Sequence, residues 1–195
     1  MTTKSQTTIE TESGPFIVRY HEVAGTVVVS FAQGDITKGT PIVRMHSACL
    51  FGEALHSLHC DCHHQLIETM RAIARHSNGI ILYSYEEGRG IGLAKKIEAM
   101  EIQRSTGCDT VQAFAKLGLP PDCRNYDDEI AVLQELGVPT HIYSFSGNPT
   151  KRKALENAGF IIDVEYEVAS ATLGHLALVE KRVKAAKMGY SYKDL

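Results

Sequence analysis

Cys49, Cys60 and Cys62 are the residues whose types and spacing most clearly indicate chemistry in this sequence. Zinc prefers thiolate and imidazole ligands arranged in a tetrahedron. A structural site closes all four positions with protein groups, whereas a catalytic site leaves one position for a water molecule whose pKa the metal lowers towards neutrality. The pattern C-x10-C-x-C therefore predicts a zinc site with three thiolate ligands.

Histidines near these cysteines leave the kind of site open, because any of them could complete a structural tetrahedron. Three unconnected buried cysteines are a second alternative, although a C-x-C pair beside a third cysteine is rare by chance. The chain has five cysteines, and a clustered subset in a reducing compartment favours metal binding over disulfides. Cys108 and Cys123 are interpreted as ordinary residues. The candidate fourth ligands are His46, His56, His59, His63 and His64.

Two segments have the composition of phosphate sites. The glycine-rich loop at residues 86–92 can approach a phosphate closely, since glycine has no side chain to obstruct it. Asn148 and Pro149 predict a helix N-cap followed by the first helical residue, which places Ser146 and Lys151 near a natural anion site. A plain turn and a solvated helix face stay open as the alternatives.

Asp122 and Arg124 lie two residues apart after the proline-rich residues 119–121. At that spacing both side chains could reach one site. A surface ion pair is the alternative interpretation.

The elements that must position these groups alternate between strand and helix patterns. Two β-rich runs over residues 15–31 predict a hairpin. We therefore expect an α/β fold of mixed α+β character, with antiparallel hairpins in the N-terminal part and an α/β second half. Further strands are predicted at 41–47, 79–85, 140–146 and 160–168, and helices at 50–76, from 92 to about 104, and at 127–136, 150–158 and 175–188.

The bulk composition limits the classes of partner. A net charge of −3 argues against a broad cationic surface for nucleic acid. No apolar run approaches the roughly 20 residues of a membrane span, and the polar N-terminus lacks the core of a signal peptide. We expect a flexible lead-in at residues 1–14, one catalytic domain at 15–190, and a cytoplasmic protein.

These residues together resemble the GTP cyclohydrolase II family, whose signature reads R-x-H-S-E-C, then C-D-C-x-x-Q-L, then E-G-R-x-I-G-L. The chain has RMHSAC at residues 44–49, CDCHHQL at 60–66 and EGRGIGL at 87–93. Further matches, in the family's order, are Asp109-Thr110-Val111, Leu117-Gly118, Asp122-x-Arg124 and Asn148-Pro149-x-Lys151. The ordered set runs from about residue 15 to 190 and is highly specific.

The resemblance implies the fold of this family and a hydrolase acting on cyclic amidines, which opens the imidazole ring of GTP. It implies release of pyrophosphate and formate, a role in riboflavin biosynthesis, one Zn²⁺ on Cys49, Cys60 and Cys62, Mg²⁺ with the triphosphate, and a homodimer. It assigns acid/base chemistry to Asp122 and attack on the α-phosphorus to Arg124. The nucleotide site implied by the resemblance comprises Arg44, Met45, His46, Ser47, Ala48, Gln65, Glu87, Gly88, Arg89, Thr110, Ser146 and Lys151.

Departures from the family pattern gather around the substrate. Ala48 replaces a glutamate, which removes an acceptor for a base N–H or for a water. Met100 replaces a tyrosine, and a thioether cannot donate the proton that a phenol could supply in formate release. We therefore expect that ring opening could end at a formylamino-pyrimidine, with Met100 in the substrate site.

Two alternatives stay open beside plain GTP hydrolysis. A divergent paralogue could act on another purine nucleotide or stop at the formylated product. A protein of another class, a catalytically silent sensor that binds zinc and nucleotide, is disfavoured by the presence of Asp122, Arg124 and all three cysteines. A zinc module that binds nucleic acid conflicts with the net charge and with the ligand spacing.

Overall fold

The protein is described by a computed structural model covering residues 2–195, with side chains from Ser5 onward. The strands are β1 (Thr2–Thr11), β2 (Gly14–Val23), β3 (Thr26–Gln33), β4 (Ile42–Ser47), β5 (Gly79–Ser84), β6 (His141–Phe145) and β7 (Ile161–Tyr166). The helices are α1 (Leu50–Glu53), α2 (Cys62–His76), α3 (Gly92–Thr106), α4 (Thr110–Lys116), α5 (Asp127–Glu135), α6 (Pro149–Asn157) and α7 (His175–Met188).

The chain forms two compact units, each made of three separate stretches. The first contains the chain up to His46, Gln65–Tyr85 and Tyr126–Glu167, and the second contains Ser47–His64, Glu86–Asn125 and Val168–Leu195. The sequence predicted one domain over residues 15–190. Because the backbone passes repeatedly from one unit to the other, no linker or shift in composition marks the division.

A seven-stranded mixed sheet dominates the first unit, in the order β1-β2-β3-β5-β4-β6-β7. The strands β1, β2, β3 and β5 pair antiparallel, whereas β4, β6 and β7 pair parallel. Antiparallel N-terminal hairpins followed by an α/β second half are therefore confirmed. Apolar side chains from the sheet and from α5 and α6 form the core, among them Val28, Ile80, Leu82, Val132, Leu133, Ile142 and Leu155.

The segment expected to be a flexible lead-in is instead strand β1. Its pairing with β2 runs from Thr11 opposite Gly14 to Thr2 opposite Glu22. Gly14 takes the positive φ of 91° that this tight connection needs, and Thr11 Oγ1 donates to its carbonyl at 2.7 Å. A polar, threonine-rich strand at a sheet edge has no apolar face for the sequence pattern to show. Met1 lies outside the described residues.

The second unit is mainly helical. It contains α1, α3, α4, α7 and a short 3-10 turn at Ser170–Thr172. Ala99, Ala113 and Phe114 form a small apolar cluster between α3 and α4. Helix α4 was absent from the sequence prediction, although Asp109 and Gln112 form a reciprocal capping box at its start.

The continuous helix predicted over residues 50–76 is wrong, because it divides into α1 and α2. Residues 54–61 form an irregular connection in which His56 has a φ of +50° and the Ser57 N–H donates to the Phe51 carbonyl at 2.8 Å. The connection brings Cys60 back to Cys49, which a straight helix would keep apart. In residues 2–195 we find no helix with the length and apolar content that a membrane crossing requires.

Candidate active site

The sulfur atoms of Cys49, Cys60 and Cys62 lie together in the second unit. All three are within 4.8 Å of one another, and the Sγ atoms of Cys49 and Cys60 are 3.7 Å apart. Ligands held at the usual Zn–S distance of about 2.3 Å in a tetrahedron stand roughly 3.8 Å apart. The donor set and its spacing therefore fit zinc.

Local backbone groups hold Cys49 in this position. Cys49 is the N-cap of α1, where its Sγ accepts from the Gly52 N–H at 3.4 Å. The Cys49 N–H donates to Glu53 Oε1 at 2.9 Å. A Cβ on Gly52 would lie 2.8 Å from the Sγ of Cys60 and 3.2 Å from that of Cys49. Because glycine has no Cβ, position 52 leaves room for the sulfur atoms to lie close to one another.

Histidine does not join this group in the part of the chain whose side chains are described, Ser5 to Leu195. His56 packs instead against His63, with ring centroids 4.1 Å apart, and His46 accepts from Arg44 in the first unit. Of the two kinds of zinc site that the spacing left open, the geometry favours the one with three protein ligands.

The three thiols share charge unequally. Hydrogen bonds from the Cys60 and Cys62 thiols lower the pKa of Cys49, with burial opposing them. Hydrogen bonding to Cys49 raises the pKa of Cys60 to about 11, and the same cause raises that of Cys62. A metal ion requires all three as thiolates, so its binding must release protons.

Lys96 on α3 is a neighbour of the cluster that the sequence analysis did not identify. Its Nζ donates to Cys49 Sγ at 3.2 Å and to Glu87 Oε1 at 2.6 Å. Glu87 Oε2 in turn accepts from the Leu50 N–H at 2.7 Å. Lys96 follows Glu87 by nine residues across a loop, so no local periodicity links them. Glu87 therefore lies beside the sulfur cluster, while its expected binding of nucleotide stays a prediction.

Asp122 and Arg124 form a forked ion pair. Arg124 Nε donates to Asp122 Oδ1 at 2.9 Å, and Nη2 donates to Oδ2 at 2.5 Å. The two side chains are only 15% and 9% exposed, so the interpretation as a surface ion pair is wrong. Burial raises the pKa of Asp122, but hydrogen bonds from Arg124 outweigh it and the pKa lies below its ordinary value. Asp122 is therefore held as a carboxylate.

Arg124 also connects this pair to the segment that carries Cys49. Its Nη1 donates to the hydroxyl of Ser47 at 3.2 Å, and Ser47 precedes Cys49 by two residues. Its Nη2 lies 3.3 Å from the Tyr190 hydroxyl. Two predicted groups of the second unit, the sulfur cluster and the Asp122–Arg124 pair, are thus joined through one short stretch of chain.

The glycine-rich loop supports the Asp122–Arg124 segment. The Cys123 N–H donates to the Arg89 carbonyl at 3.0 Å, and a Cβ on Gly90 would lie 3.1 Å from the Cys123 carbonyl carbon. Gly88 and Arg89 both have positive φ, 65° and 60°. This close backbone approach explains glycine at position 90, while phosphate binding in the loop stays a prediction.

Arg89 is itself engaged within the second unit. Its guanidinium forms an ion pair with Glu180 of α7, donates to the Pro121 carbonyl at 3.2 Å and lies 5.2 Å from the centre of the Phe114 ring. The remaining predicted residues of this unit are Ala48 and Met100, both half-buried, and Thr110, which is buried at the start of α4.

The segment after residue 168 adds two contacts that the sequence did not indicate. Tyr190 reaches Arg124, as described above, and Lys184 Nζ lies 3.8 Å from Asp61 Oδ1, between two of the cysteines. Burial lowers the pKa of Lys184, but the negative charges of Asp61 and Glu180 have the larger, opposite effect. The pKa therefore lies above its ordinary value, and the group is a buried cation.

A separate polar network occupies the end of β4 in the first unit. Arg44, only 4% exposed, donates to His46 Nδ1 at 2.9 Å, to the Phe145 carbonyl at 2.8 Å and to Gln65 Oε1 at 2.5 Å. Gln65 is thus not the plain exposed helical residue of the alternative interpretation. His46 also stacks on Tyr83, with ring centroids 5.4 Å apart.

The start of α6 has the predicted N-cap. Asn148 Oδ1 accepts from the Thr150 N–H at 2.8 Å, Pro149 is the first helical residue, and Ser146 Oγ accepts from the Asn148 N–H at 3.1 Å. Lys151 is only 6% exposed and donates to the Met45 carbonyl at 2.6 Å. The alternative of a solvated lysine is therefore wrong.

Comparison with known proteins gives consistent matches. The sequence fits the family described as GTP cyclohydrolase II over residues 2–168. Proteins named GTP cyclohydrolase-2 are 45% identical in Pseudomonas fluorescens over 142 residues (72% of this chain and 68% of the relative) and 41% identical in Pseudomonas syringae pv. tomato over 163 residues (83% and 78%). The one from Actinobacillus succinogenes is 36% identical over 189 residues (95% and 86%).

Among solved structures, a two-domain 3,4-dihydroxy-2-butanone 4-phosphate synthase from A. baumannii matches 87% of this chain and 40% of its own, with 19% identity and a TM-score of 0.46. That likeness is too distant to bear on function. The sequence matches place the chain in a class of hydrolases. It belongs to the GTP cyclohydrolase II family.

Proposed function

We propose that this protein opens the imidazole ring of GTP by hydrolysis and releases pyrophosphate, with Zn²⁺ on Cys49, Cys60 and Cys62. The observation that carries the proposal is the cluster of three sulfur atoms within 4.8 Å of one another, one pair of them 3.7 Å apart. No histidine belongs to this cluster in the part of the chain from Ser5 to Leu195. When bound there, zinc would act as a Lewis acid and would lower the pKa of a zinc-bound water towards neutrality.

The Asp122–Arg124 pair supports the phosphate chemistry. A guanidinium binds phosphate in a forked geometry but is a poor nucleophile, because it stays protonated. The Asp122 carboxylate accepts from both Nε and Nη2, so it is placed to take the proton that attack on the α-phosphorus would release. The new N–P bond then forms as pyrophosphate leaves, and water cleaves it afterwards. Mg²⁺ would accompany the triphosphate.

The other residues predicted to bind nucleotide keep that role as proposals. In the second unit these are Ser47, Ala48, Glu87, Gly88, Arg89, Met100 and Thr110. The first unit offers Arg44, Met45, His46, Gln65, Ser146 and Lys151, of which Arg44 and Lys151 are cations held in hydrogen bonds to carbonyl groups. We also infer a homodimer in the cytoplasm that acts on GTP or a related purine nucleotide in riboflavin biosynthesis.

Product analysis tests the proposal directly. Zinc-loaded protein incubated with GTP and Mg²⁺ should yield pyrophosphate and a ring-opened pyrimidinone ribosyl phosphate, identified by mass spectrometry. Arg124→Ala should reduce turnover by at least about 1,000-fold, the scale of loss when a reacting group is removed. Tyr20→Phe, a change in the β2 strand, is the control. A wild-type protein that binds GTP without product would support the silent sensor instead.

Met100 favours the formylamino-pyrimidine as a second candidate product. Lys96 and Met100 are four residues apart in α3, so they share one helix face, and Lys96 contacts Cys49. Met100→Tyr places a proton donor on that face and should raise formate release per pyrophosphate at least several-fold. Enzymatic formate assays and product masses measure this. Stoichiometric formate from the unchanged protein would contradict the prediction.

A further inference from the structure

The ammonium group of Lys96 is held by three partners beside the sulfur cluster. It donates to Cys49 Sγ at 3.2 Å and to Glu87 Oε1 at 2.6 Å, and it lies 4.7 Å from the centre of the Phe51 ring. The Lys96 side chain is only 17% exposed. Most of the hydration of the charge has thus been replaced by protein groups in a fixed arrangement.

Glu87 is anchored independently of Lys96. Its Oε2 accepts from the Leu50 N–H at 2.7 Å, and its Oε1 accepts from the Gly88 N–H at 3.0 Å. Leu50 follows Cys49 directly, so one carboxylate ties the backbone of the cysteine segment to the lysine. A lysine side chain is ordinarily a cation at neutral pH, and the Glu87 carboxylate 2.6 Å from Nζ stabilises that charge.

The contact between Lys96 and Cys49 affects the net charge of the proposed metal centre. A Zn²⁺ ion with three thiolates carries a net charge of −1, and the Glu87 carboxylate beside it adds another negative charge. The Lys96 ammonium offsets one of these two charges, so its loss would leave a net charge of −2. Thiolates donate more electron density than imidazoles, which weakens the Lewis acidity of the metal, and an N–H donor to sulfur withdraws part of that density. Hydrogen bonding to a ligand also fixes its orientation.

We propose that Lys96 is a positioning residue for the metal centre, where its ammonium orients the Cys49 thiolate and offsets the excess negative charge of the three sulfurs. The inference rests on the proposed zinc centre. It predicts that loss of the ammonium destabilises the metal-bound state, whose net charge with Glu87 included is then −2.

Cobalt substitution provides a readout other than activity. Co²⁺ bound by thiolates shows sulfur-to-metal charge-transfer absorption, and an N–H donor to sulfur moves that absorption to higher energy. We therefore expect the band of Lys96→Met to lie at lower energy than the wild-type band. The zinc affinity of this variant, measured by chelator competition, should fall by about 10- to 100-fold.

The neighbouring residue offers a matched control. Lys95 is on the same helix turn, but its side chain is 51% exposed and pairs with Glu98 at 2.7 Å. Lys95→Met removes the same charge and atoms and should leave both the cobalt band and the zinc affinity unchanged. Lys96→Arg keeps a cationic N–H donor and should retain most of the wild-type band position.

The possible outcomes distinguish failure of the proposed zinc centre from failure of the role proposed for Lys96. If wild-type protein binds no cobalt through sulfur, the zinc centre itself is absent. If cobalt binds and Lys96→Met matches the wild type in band and affinity, Lys96 serves only as the partner of Glu87 and the inference is overturned. If Lys96→Met does not fold, the comparison of Lys96→Arg with Lys96→Ala decides, since arginine keeps an N–H donor and should preserve the band, whereas alanine has none.

Discussion

Gly52 lies in α1 with sulfur atoms packed against its Cα on one side. A methyl group there would meet Cys60 Sγ at 2.8 Å, Cys62 Cβ at 3.1 Å and Cys49 Sγ at 3.2 Å. Two of these three atoms are proposed metal ligands, and the third belongs to the residue that provides the last one. The sulfur atoms can therefore approach one another this closely only because Gly52 carries a hydrogen atom in place of a Cβ.

Gly52→Ala should weaken zinc binding by at least about 10-fold. Alanine favours a helix over glycine by about 1 kcal/mol, so any loss must come from displaced sulfurs rather than from the backbone. Overpacking of this kind costs typically 1–3 kcal/mol. Chelator competition measures the affinity, and thermal melts of the zinc-loaded protein measure stability.

Gly174→Ala is the control for this change. A Cβ at Gly174 meets no atom within 4 Å, and its φ of −71° suits any residue. Equal zinc affinity in Gly52→Ala and wild type would show that the sulfurs can move apart without loss, contrary to the prediction.

At the scale of elements, the stretch after α7 is tied back to the stretch before it. Lys181 of α7 is buried, and its Nζ donates to the Val168 carbonyl at 2.9 Å, to Ser170 Oγ at 2.8 Å and to Asp194 Oδ1 at 3.2 Å. Asp194 also accepts from the Ser170 backbone N–H. These contacts hold the segment in which Tyr190 reaches Arg124.

Asp194→Asn should loosen this segment at neutral pH. Hydrogen bonds from Ser170 lower the pKa of Asp194 to about 2. The pKa of Asp194 in the folded protein lies below its ordinary value. The hydrogen bonds of the Asp194 carboxylate therefore stabilise the fold fully above about pH 4, and this contribution is lost as the pH falls through about 2. Amide exchange at Ser170 should therefore be faster in the variant at pH 7, and the difference should shrink on acidification.

Glu156→Gln, which changes an exposed carboxylate on α6, is the control for that experiment. If the amide of Ser170 exchanges at the same rate in Asp194→Asn and in the wild type at pH 7, Asp194 does not hold this segment in place. The effect should be modest, since the Asp194 side chain is 38% exposed and solvent screens the interaction.

At the scale of the whole molecule, the sequence predicted the features whose signals are local. The spacing of the cysteines indicated the sulfur cluster, and Asn148 with Pro149 indicated the start of α6. β-rich runs and short apolar runs between helix and strand breakers indicated most strands.

Features that depend on contacts distant in sequence were not predictable. Strand β1 is polar and gains its order from pairing with β2, not from an apolar face. The connection between α1 and α2 brings Cys60 to Cys49, a contact that helical periodicity cannot show. Lys96 faces Cys49 across 47 positions of the chain, and only the folded loop at Glu87 brings them together.

The division of the chain into interleaved stretches has a consequence for synthesis on the ribosome. A domain made of one continuous stretch can fold as soon as it has emerged. Here the first unit is incomplete until its stretch Tyr126–Glu167 has been made, and the three cysteines emerge well before Lys96, Asp122 and Arg124. During that interval the nascent thiols meet metal and oxidants without their eventual neighbours, so the supply of zinc and reductant during translation should govern the yield of active protein.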